Sequence, residues 1–221
     1  MQRAASTWIF ALVCAIALLA ERPGAAQQPA PPGQFDYYLL ALSWSPSFCA
    51  RHPEAVEECG HARGFVVHGL WPQNLDGSWP AFCRPVAPVP TALAAREADT
   101  IMPDAELIEH EWSKHGSCTT DTAEQYFGHI DRAFAALHIP DALAHPAQPV
   151  TASLADAKAA MVAVNPGLEP GMVSLRCGKG GAVEEMRICL DRGLRYRACA
   201  ADQADACPAT LRFPPISPAA R

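Results

Sequence analysis

"FDYYLLALSWSP", residues 35–46, is the stretch from which the fold is read. Its apolar side chains run almost unbroken over a strand's length and stop at Pro46, so it reads as a largely buried strand. A loop carrying Cys49 and Cys59 leads to a second strand, "RGFVVHGLW" (63–71), ended by Pro72 and followed by the turn chemistry of "NLDGSW" (74–79). Beyond the Pro-rich connector "RPVAPVP" (84–90) the pattern turns helical. A short helical segment is expected near Thr91 to Asp99, then "PDAELIEHEWSKHG" (103–116), with Pro103 near its start and Gly116 just past its end. "TDTAEQYFGHIDRAFAALHIP" (120–140) presents Phe127, Ile130, Phe134 and Leu137 as an apolar stripe, and "TASLADAKAAMVAVNPG" (151–167) is a third long helix. Short strands are expected at 171–177, 182–190 and 194–199, and "LRFPPI" (211–216) is an extended tail. Strands at both ends of a helical middle predict one α+β domain, a central antiparallel sheet with helices packed on it.

The first 26 residues have a different character. Arg3 is followed by the unbroken apolar run Trp8 to Ala20, and "RPGAAQQ" offers small residues for cleavage after Ala26. That is the pattern of a secretory signal peptide. Thirteen apolar residues fall short of the ~20 a spanning helix needs, and no later stretch is longer, so the mature chain is expected to be free of the membrane. Residues 27–34, "QQPAPPGQ", are Pro-rich and expected to be disordered. Export leaves 195 residues, enough for one core, and moves the formal charge from −6 to −7 because Arg3, Arg22 and Glu21 depart. An acidic surface gives no general affinity for nucleic acid, so a polyanion must be held by a local basic patch.

Export also gives the cysteines their meaning. Cys14 leaves with the signal, and eight remain: Cys49, Cys59, Cys83, Cys118, Cys177, Cys189, Cys199 and Cys207. An even number in an exported chain points to four disulfides; zinc is disfavoured because no CxxC pair occurs.

One short stretch concentrates ionisable groups. "LIEHEWSKHGSC" (107–118) holds two His, two Glu and a Lys. On a helix, His110, Lys114, Glu111 and His115 fall on one arc of about 140°, while Glu109, Trp112 and Ser113 point away. A zinc helix needs H-E-x-x-H, and here the two His are i and i+5. A solvated face of ion pairs and a catalytic face are left. The natural partner for a catalytic face is His68 in "GFVVHGLWPQ" (64–73), where an apolar strand ends and Gly69 permits close approach.

"FVVHGLWPQ" followed by "HEWSKHGSC" resembles the two active-site segments of the ribonuclease T2 family, and the likeness extends to "YYLLALSWSPSFC" and the cysteine layout. The resemblance implies a catalytic domain over residues 35–221: an exported, periplasmic or secreted, monomeric endoribonuclease that cuts single-stranded RNA without metal or cofactor. In it His115 would be the general base and His68 the general acid. Glu111 and Lys114 would stabilise the phosphorane, and His110 would help hold the phosphate. Trp71 and Trp79 stand where relatives place rings against a base, and Gln73 stands where some carry a base-discriminating Asp, which implies broad base specificity. The implied disulfides are Cys49–Cys59, Cys83–Cys118, Cys177–Cys207 and Cys189–Cys199. The alternative within the same fold is a member that binds RNA or a partner without catalysis.

Overall fold

The computed structural model describes Gln27, Gln28 and residues 30–216; the signal-peptide reading of residues 1–26 lies outside them. Among the described residues no helix is long and apolar enough to cross a membrane. In chain order the elements are β1 (Gln27–Gln28), β2 (Tyr37–Trp44), α1 (Ser45–Cys49), α2 (Val56–Cys59), β3 (Phe65–Gln73), β4 (Trp79–Pro80), α3 (Thr91–Thr100), α4 (Ala105–Lys114) and α5 (Ala123–Ala135). They continue with α6 (Asp141–Ala144), β5 (Val150–Ser153), α7 (Leu154–Val164), β6 (Val173–Cys177), β7 (Val183–Leu190) and β8 (Thr210–Phe213).

The α+β architecture rests on β2. It lies inside a four-stranded antiparallel sheet of order β3-β2-β7-β6 and is buried on both faces. Tyr38, Leu40, Leu42 and Trp44 enter the main core with Ile108 and Trp112 of α4 and Tyr126, Phe127 and Ile130 of α5. The opposite face carries a small cluster of Tyr37, Leu39 and Cys189, with Trp71 packed against it. The outer edge of β3 is not left open: Val67 N–H donates to the Ile101 carbonyl (2.9 Å) and Tyr126 Oη to the Leu70 carbonyl (3.0 Å).

Two β-bulges set which side chains face which way. Against β2, Ala41 pairs with Gly69 and Leu42 with Val67, so His68 is the extra residue. Against β6, Arg176 pairs with Glu185 and Cys177 with Val183, so Glu184 is the extra residue. Strict alternation would send Val67 and Leu70 to opposite faces, and likewise Val183 and Met186. The inserted residue breaks that parity, and all four join the main core. Trp71 therefore lies on the second face, and so do Glu185, Arg187 and Cys189 across the sheet.

Local chemistry explains the helices. Asp104 caps α4, its Oδ1 accepting from Glu106 N–H (2.8 Å) and Leu107 N–H (3.2 Å). Thr122 and Gln125 form a capping box at the start of α5. After α4 a 3₁₀ turn over Gly116–Cys118 reverses the chain. A side chain at Gly116 would overlap the Trp112 ring, so only glycine fits.

Five expectations need correction. Pro72 does not end the second strand; β3 runs on to Gln73, because an edge strand tolerates a missing N–H. Residues 151–153 belong to β5, and the third long helix begins at Leu154 with Ser153 as its cap, Oγ accepting from Asp156 N–H (3.0 Å). The tail is a strand, since β8 pairs antiparallel with β5. Residues 194–199 are not a strand but a loop, with Leu194 at φ 64° and one bridge from Leu190 to Tyr196. Residues 27–34, expected to be disordered, are placed in the parts described: β1 runs parallel to β4, and Gly33 N–H donates to the Cys118 carbonyl (2.7 Å).

The cysteines pair as Cys49–Cys59, Cys83–Cys118, Cys177–Cys207 and Cys189–Cys199, the four pairs that the resemblance implies. Cys83–Cys118 ties the loop after β4 to the turn after α4 across a separation of 35 residues. Replacing both of its cysteines by serine should lower the unfolding free energy by ~2–4 kcal/mol in urea denaturation; an unchanged midpoint would contradict this view of the bridge.

Candidate active site

The site lies where the end of α4 meets the second face of the sheet. Its centre is Glu111, 1% exposed, whose Oε2 accepts from Trp71 Nε1 (2.8 Å) and whose Oε1 is 3.9 Å from His68 Nε2. Gly69 makes this approach possible, because a Cβ there would overlap the Glu111 carboxylate and the Trp71 indole nitrogen. Trp71 stands between the two candidate catalytic imidazoles. The His68 ring meets it edge-on at 5.0 Å between centroids, and the His115 ring stacks on it at 5.4 Å with 26° between planes.

The arc expected on α4 is present, and it is split by depth. Glu111 and His115 are buried, whereas His110 is exposed and Lys114 half-buried. Trp112 fills the core, and Glu109 accepts from Val89 N–H (2.9 Å), so both point away from the site.

Two clefts flank this centre. One, of about 590 Å³, is lined by His68 and His110 together with Phe48, Leu107 and a set of carboxylates that includes Glu58 and Glu185. The other, of about 190 Å³, is lined by Trp71, Gln73, Trp79, Lys114, His115 and Arg187. Thus all eight candidate residues converge, with His68 on one side and His115 on the other. Gln73 is buried and its Nε2 donates to the Pro72 carbonyl (2.9 Å).

Environment separates the two imidazoles electrically. Burial alone would push the His68 pKa down, but the Glu185 hydrogen bond and the charges of Glu111 and Glu185 outweigh it, and the net shift is upward. Burial pushes the His115 pKa well below the imidazole range, and the cations Lys114, His110 and His68 reinforce it. Burial also lifts Glu111 to about 7, against the opposing pull of His68 and the Trp71 hydrogen bond. His110, exposed but partly desolvated by its neighbours, is lowered by that desolvation and by the charges of Lys114 and His68. The surroundings therefore bias His68 toward its charged form and His115 toward its neutral form. Among the described residues no three His, Cys, Asp or Glu side chains are grouped to hold a metal ion.

Two residues of the site read in sequence only as part of a strand. Glu185 Oε2 lies 3.0 Å from His68 Nδ1, and the Arg187 guanidinium lies over the Trp71 ring at 5.3 Å. The available signal was a pair of charges at i and i+2 in the apolar strand 182–190, but their partners lie far away in sequence.

The Ribonuclease T2 family profile matches residues 35–199. The chain belongs to that family. A probable ribonuclease of Haemophilus influenzae is 43% identical over 122 residues, which covers 48% of this chain and 44% of that protein. A ribonuclease of Aeromonas hydrophila is 42% identical over 95 residues, covering 43% of each. The matched stretch thus spans less than half the length of these two relatives. Among solved structures, an RNase-related protein from Calystegia sepium superimposes with a TM-score of 0.68 at 23% identity, covering 83% of this chain and 99% of that one. That likeness establishes the fold.

Gly69→Ala should cost about 1–3 kcal/mol, because the added methyl group must displace a buried carboxylate pinned by Trp71. Urea denaturation with near-ultraviolet circular dichroism of the tryptophans checks it: a parent-like midpoint and spectrum would show that Glu111 is free to move aside.

Proposed function

We propose that this protein is an endoribonuclease that cleaves single-stranded RNA by attack of the 2′-hydroxyl on the adjacent phosphorus, releasing a 2′,3′-cyclic phosphate and then, more slowly, a 3′-phosphate. The observation that carries this reading is the pair His68 and His115, opposed across Trp71 and pushed apart in pKa by their surroundings. RNA brings its own nucleophile, so the protein's task reduces to a base, an acid and donors for the phosphoryl oxygens.

His115, held neutral, takes the 2′-hydroxyl proton beside the cleft that Trp71 and Trp79 line. His68, held charged, gives a proton to the 5′-oxygen beside the other cleft. Lys114 and Glu111 face the phosphorane: Lys114 neutralises its oxygens, and Glu111, with its pKa near neutrality, donates a hydrogen bond to them when protonated and accepts one from His68 when ionised. His110 holds the phosphate at the open rim. None of these steps calls for a metal or cofactor. DNA lacks the 2′-hydroxyl and is not a substrate by this route.

The second cleft receives the base 5′ to the scissile bond. Stacking on Trp79 is worth about 1–3 kcal/mol and tolerates any base, while Trp71, stacked by His115 and overlain by Arg187, lines the wall of the cleft. The Gln73 amide nitrogen is committed to the Pro72 carbonyl, which removes one donor that would discriminate between bases and supports broad specificity. The four disulfides and the apolar stretch at residues 8–20 support export to the periplasm or beyond, and we propose that the protein acts there as a monomer.

Single-stranded RNA incubated with the protein in EDTA tests the reading. Cleavage should persist, and His68→Ala and His115→Ala should each lower kcat by about 10²–10⁴-fold. Loss with EDTA would point to a metal, and tight RNA binding without cleavage would favour the non-catalytic alternative.

The pH profile of kcat/KM should be a bell. Activity rises as His115 loses its proton, on a limb below the ordinary imidazole value of 6.5, because its pKa is lowered. It falls as His68 loses its proton, on a limb above 6.5, because its pKa is raised. A rate flat between about pH 4 and 9 would rule out the two-imidazole scheme.

A further inference from the structure

Glu185 lies outside both motif segments, yet its carboxylate makes the shortest polar contact to His68. The strand β7 carries it opposite Ser43 of β2, on the second face with Arg187 two residues on. Its side chain is 12% exposed. One carboxylate oxygen, Oε2, faces His68 Nδ1 at 3.0 Å, and the other accepts from Arg187 Nε at 2.5 Å. Arg187 is held in turn, since its Nη1 donates to Gln203 Oε1 (3.0 Å) and Gln203 Nε2 donates to Asp202 Oδ2 (2.6 Å). Three side chains in series, Arg187, Gln203 and Asp202, thus brace the carboxylate from behind.

We propose that Glu185 is a positioning residue for His68, holding the ring so that its Nδ1 keeps a proton and its Nε2 is the atom that exchanges one with substrate. The proposal rests on the reading of His68 as the general acid. An ionised carboxylate has no proton to give and only accepts. Nδ1 must therefore bear hydrogen in both charge states of the ring. Nε2 then points toward Glu111 Oε1, 3.9 Å away, and toward the reacting groups.

In the step itself the Nε2–H bond breaks and the proton passes to the 5′-oxygen as the P–O5′ bond breaks. The N–H bonding pair stays on Nε2 and leaves a neutral imidazole with its proton on Nδ1. In hydrolysis of the cyclic phosphate the same Nε2 takes a proton from water, and the cycle closes.

The bland alternative is a structural ion pair between Glu185 and Arg187 that meets His68 incidentally. The surroundings argue against it. The charged and titratable groups around His68 are Glu111, Lys114, His110 and His115 from α4 and its end, Glu185 from β7, and Glu58 from α2. Of the two carboxylates nearest the ring, Glu111 titrates at about 7 and loses its charge within the working range. Glu185 is also buried, but its bonds to His68 and Arg187 hold its pKa below the ordinary value, so it stays anionic there. Only Glu185 can fix the tautomer throughout.

The test compares two substrates with the full mature chain: an RNA dinucleotide, and uridine 3′-phosphate esterified with 4-nitrophenol, whose leaving group departs without a proton. Glu185→Gln should lower kcat on the dinucleotide by about 10–10²-fold with little change in KM, a part of the ~10²–10⁴-fold assigned to the whole acid. The loss on the dinucleotide should exceed the loss on the ester at least tenfold, and the descending limb of the pH profile should move to lower pH. Equal losses on the two substrates, or an unmoved limb, would overturn the proposal. His68→Ala should show the same substrate contrast and His115→Ala should not. If His115→Ala shows it instead, the acid assignment falls, whatever Glu185 does, and the proposal falls with it. Should Glu185→Gln fail to fold, Glu185→Asp is used, which keeps the charge but draws it back by one methylene. A limb lowered relative to the parent's supports the proposal, and an unchanged limb overturns it.

Discussion

A carboxylate buried between a helix and the edge strand of a sheet organises this molecule. Glu111 is nearly inaccessible, and its one hydrogen-bonded partner is the Trp71 indole, with His68 just beyond hydrogen-bond reach. Burying such a group is costly unless it is satisfied or neutralised, and here it is partly both: it accepts from Trp71 and its pKa rises to about 7. The arrangement requires α4 and β3 to approach more closely than side chains on β3 would allow. Gly69 removes the obstacle on the strand, and Gly116 lets the chain turn against the Trp112 ring at the helix end. Cys83–Cys118 then holds the turn after α4 against the loop that follows β4.

The sheet contributes by breaking its own alternation twice. A bulge at His68 and another at Glu184 let apolar residues at odd spacing share the core, while Trp71, Glu185 and Arg187 lie on the opposite face. His68 and Trp71 arrive from β3, Glu185 and Arg187 from β7, with β2 between them to fix the distance. The same buried face explains why the two imidazoles differ. His115 lies among cations in a dry setting and is biased toward its neutral form, while His68 lies among carboxylates and is biased toward its charged form. Burial opposes charge on both rings, so the sign of the neighbouring groups decides between them.

Most of the architecture was legible in advance. Residues 35–46 read as a buried strand because their apolar run is long and ends at a proline, and α4 and α5 announced themselves through caps and periodicity. The arc of His110, Glu111, Lys114 and His115 followed from helical geometry alone. The misreadings share a cause. In sequence Pro72 reads as a stop, residues 151–153 as helix, 194–199 as a strand and 211–216 as a tail. Each depends on pairing that local pattern does not show: the place of β3 at the edge of the sheet, the pairing of β5 with β8, and the Cys189–Cys199 loop.

By itself, then, the sequence determined what depends on short range: the helices and their caps, the buried central strand, the even set of cysteines and the four polar groups on one helical arc. Hydrogen-bond periodicity and side-chain size act over a few residues, so they leave their mark locally. Only the tertiary structure decided that Glu185 and Arg187 join the site, that Glu111 and His115 are buried while His110 is not, and which imidazole carries charge. A bulge changes the facing of every residue beyond it, and a pKa is set by groups packed in space, so neither is visible until the strands have been paired.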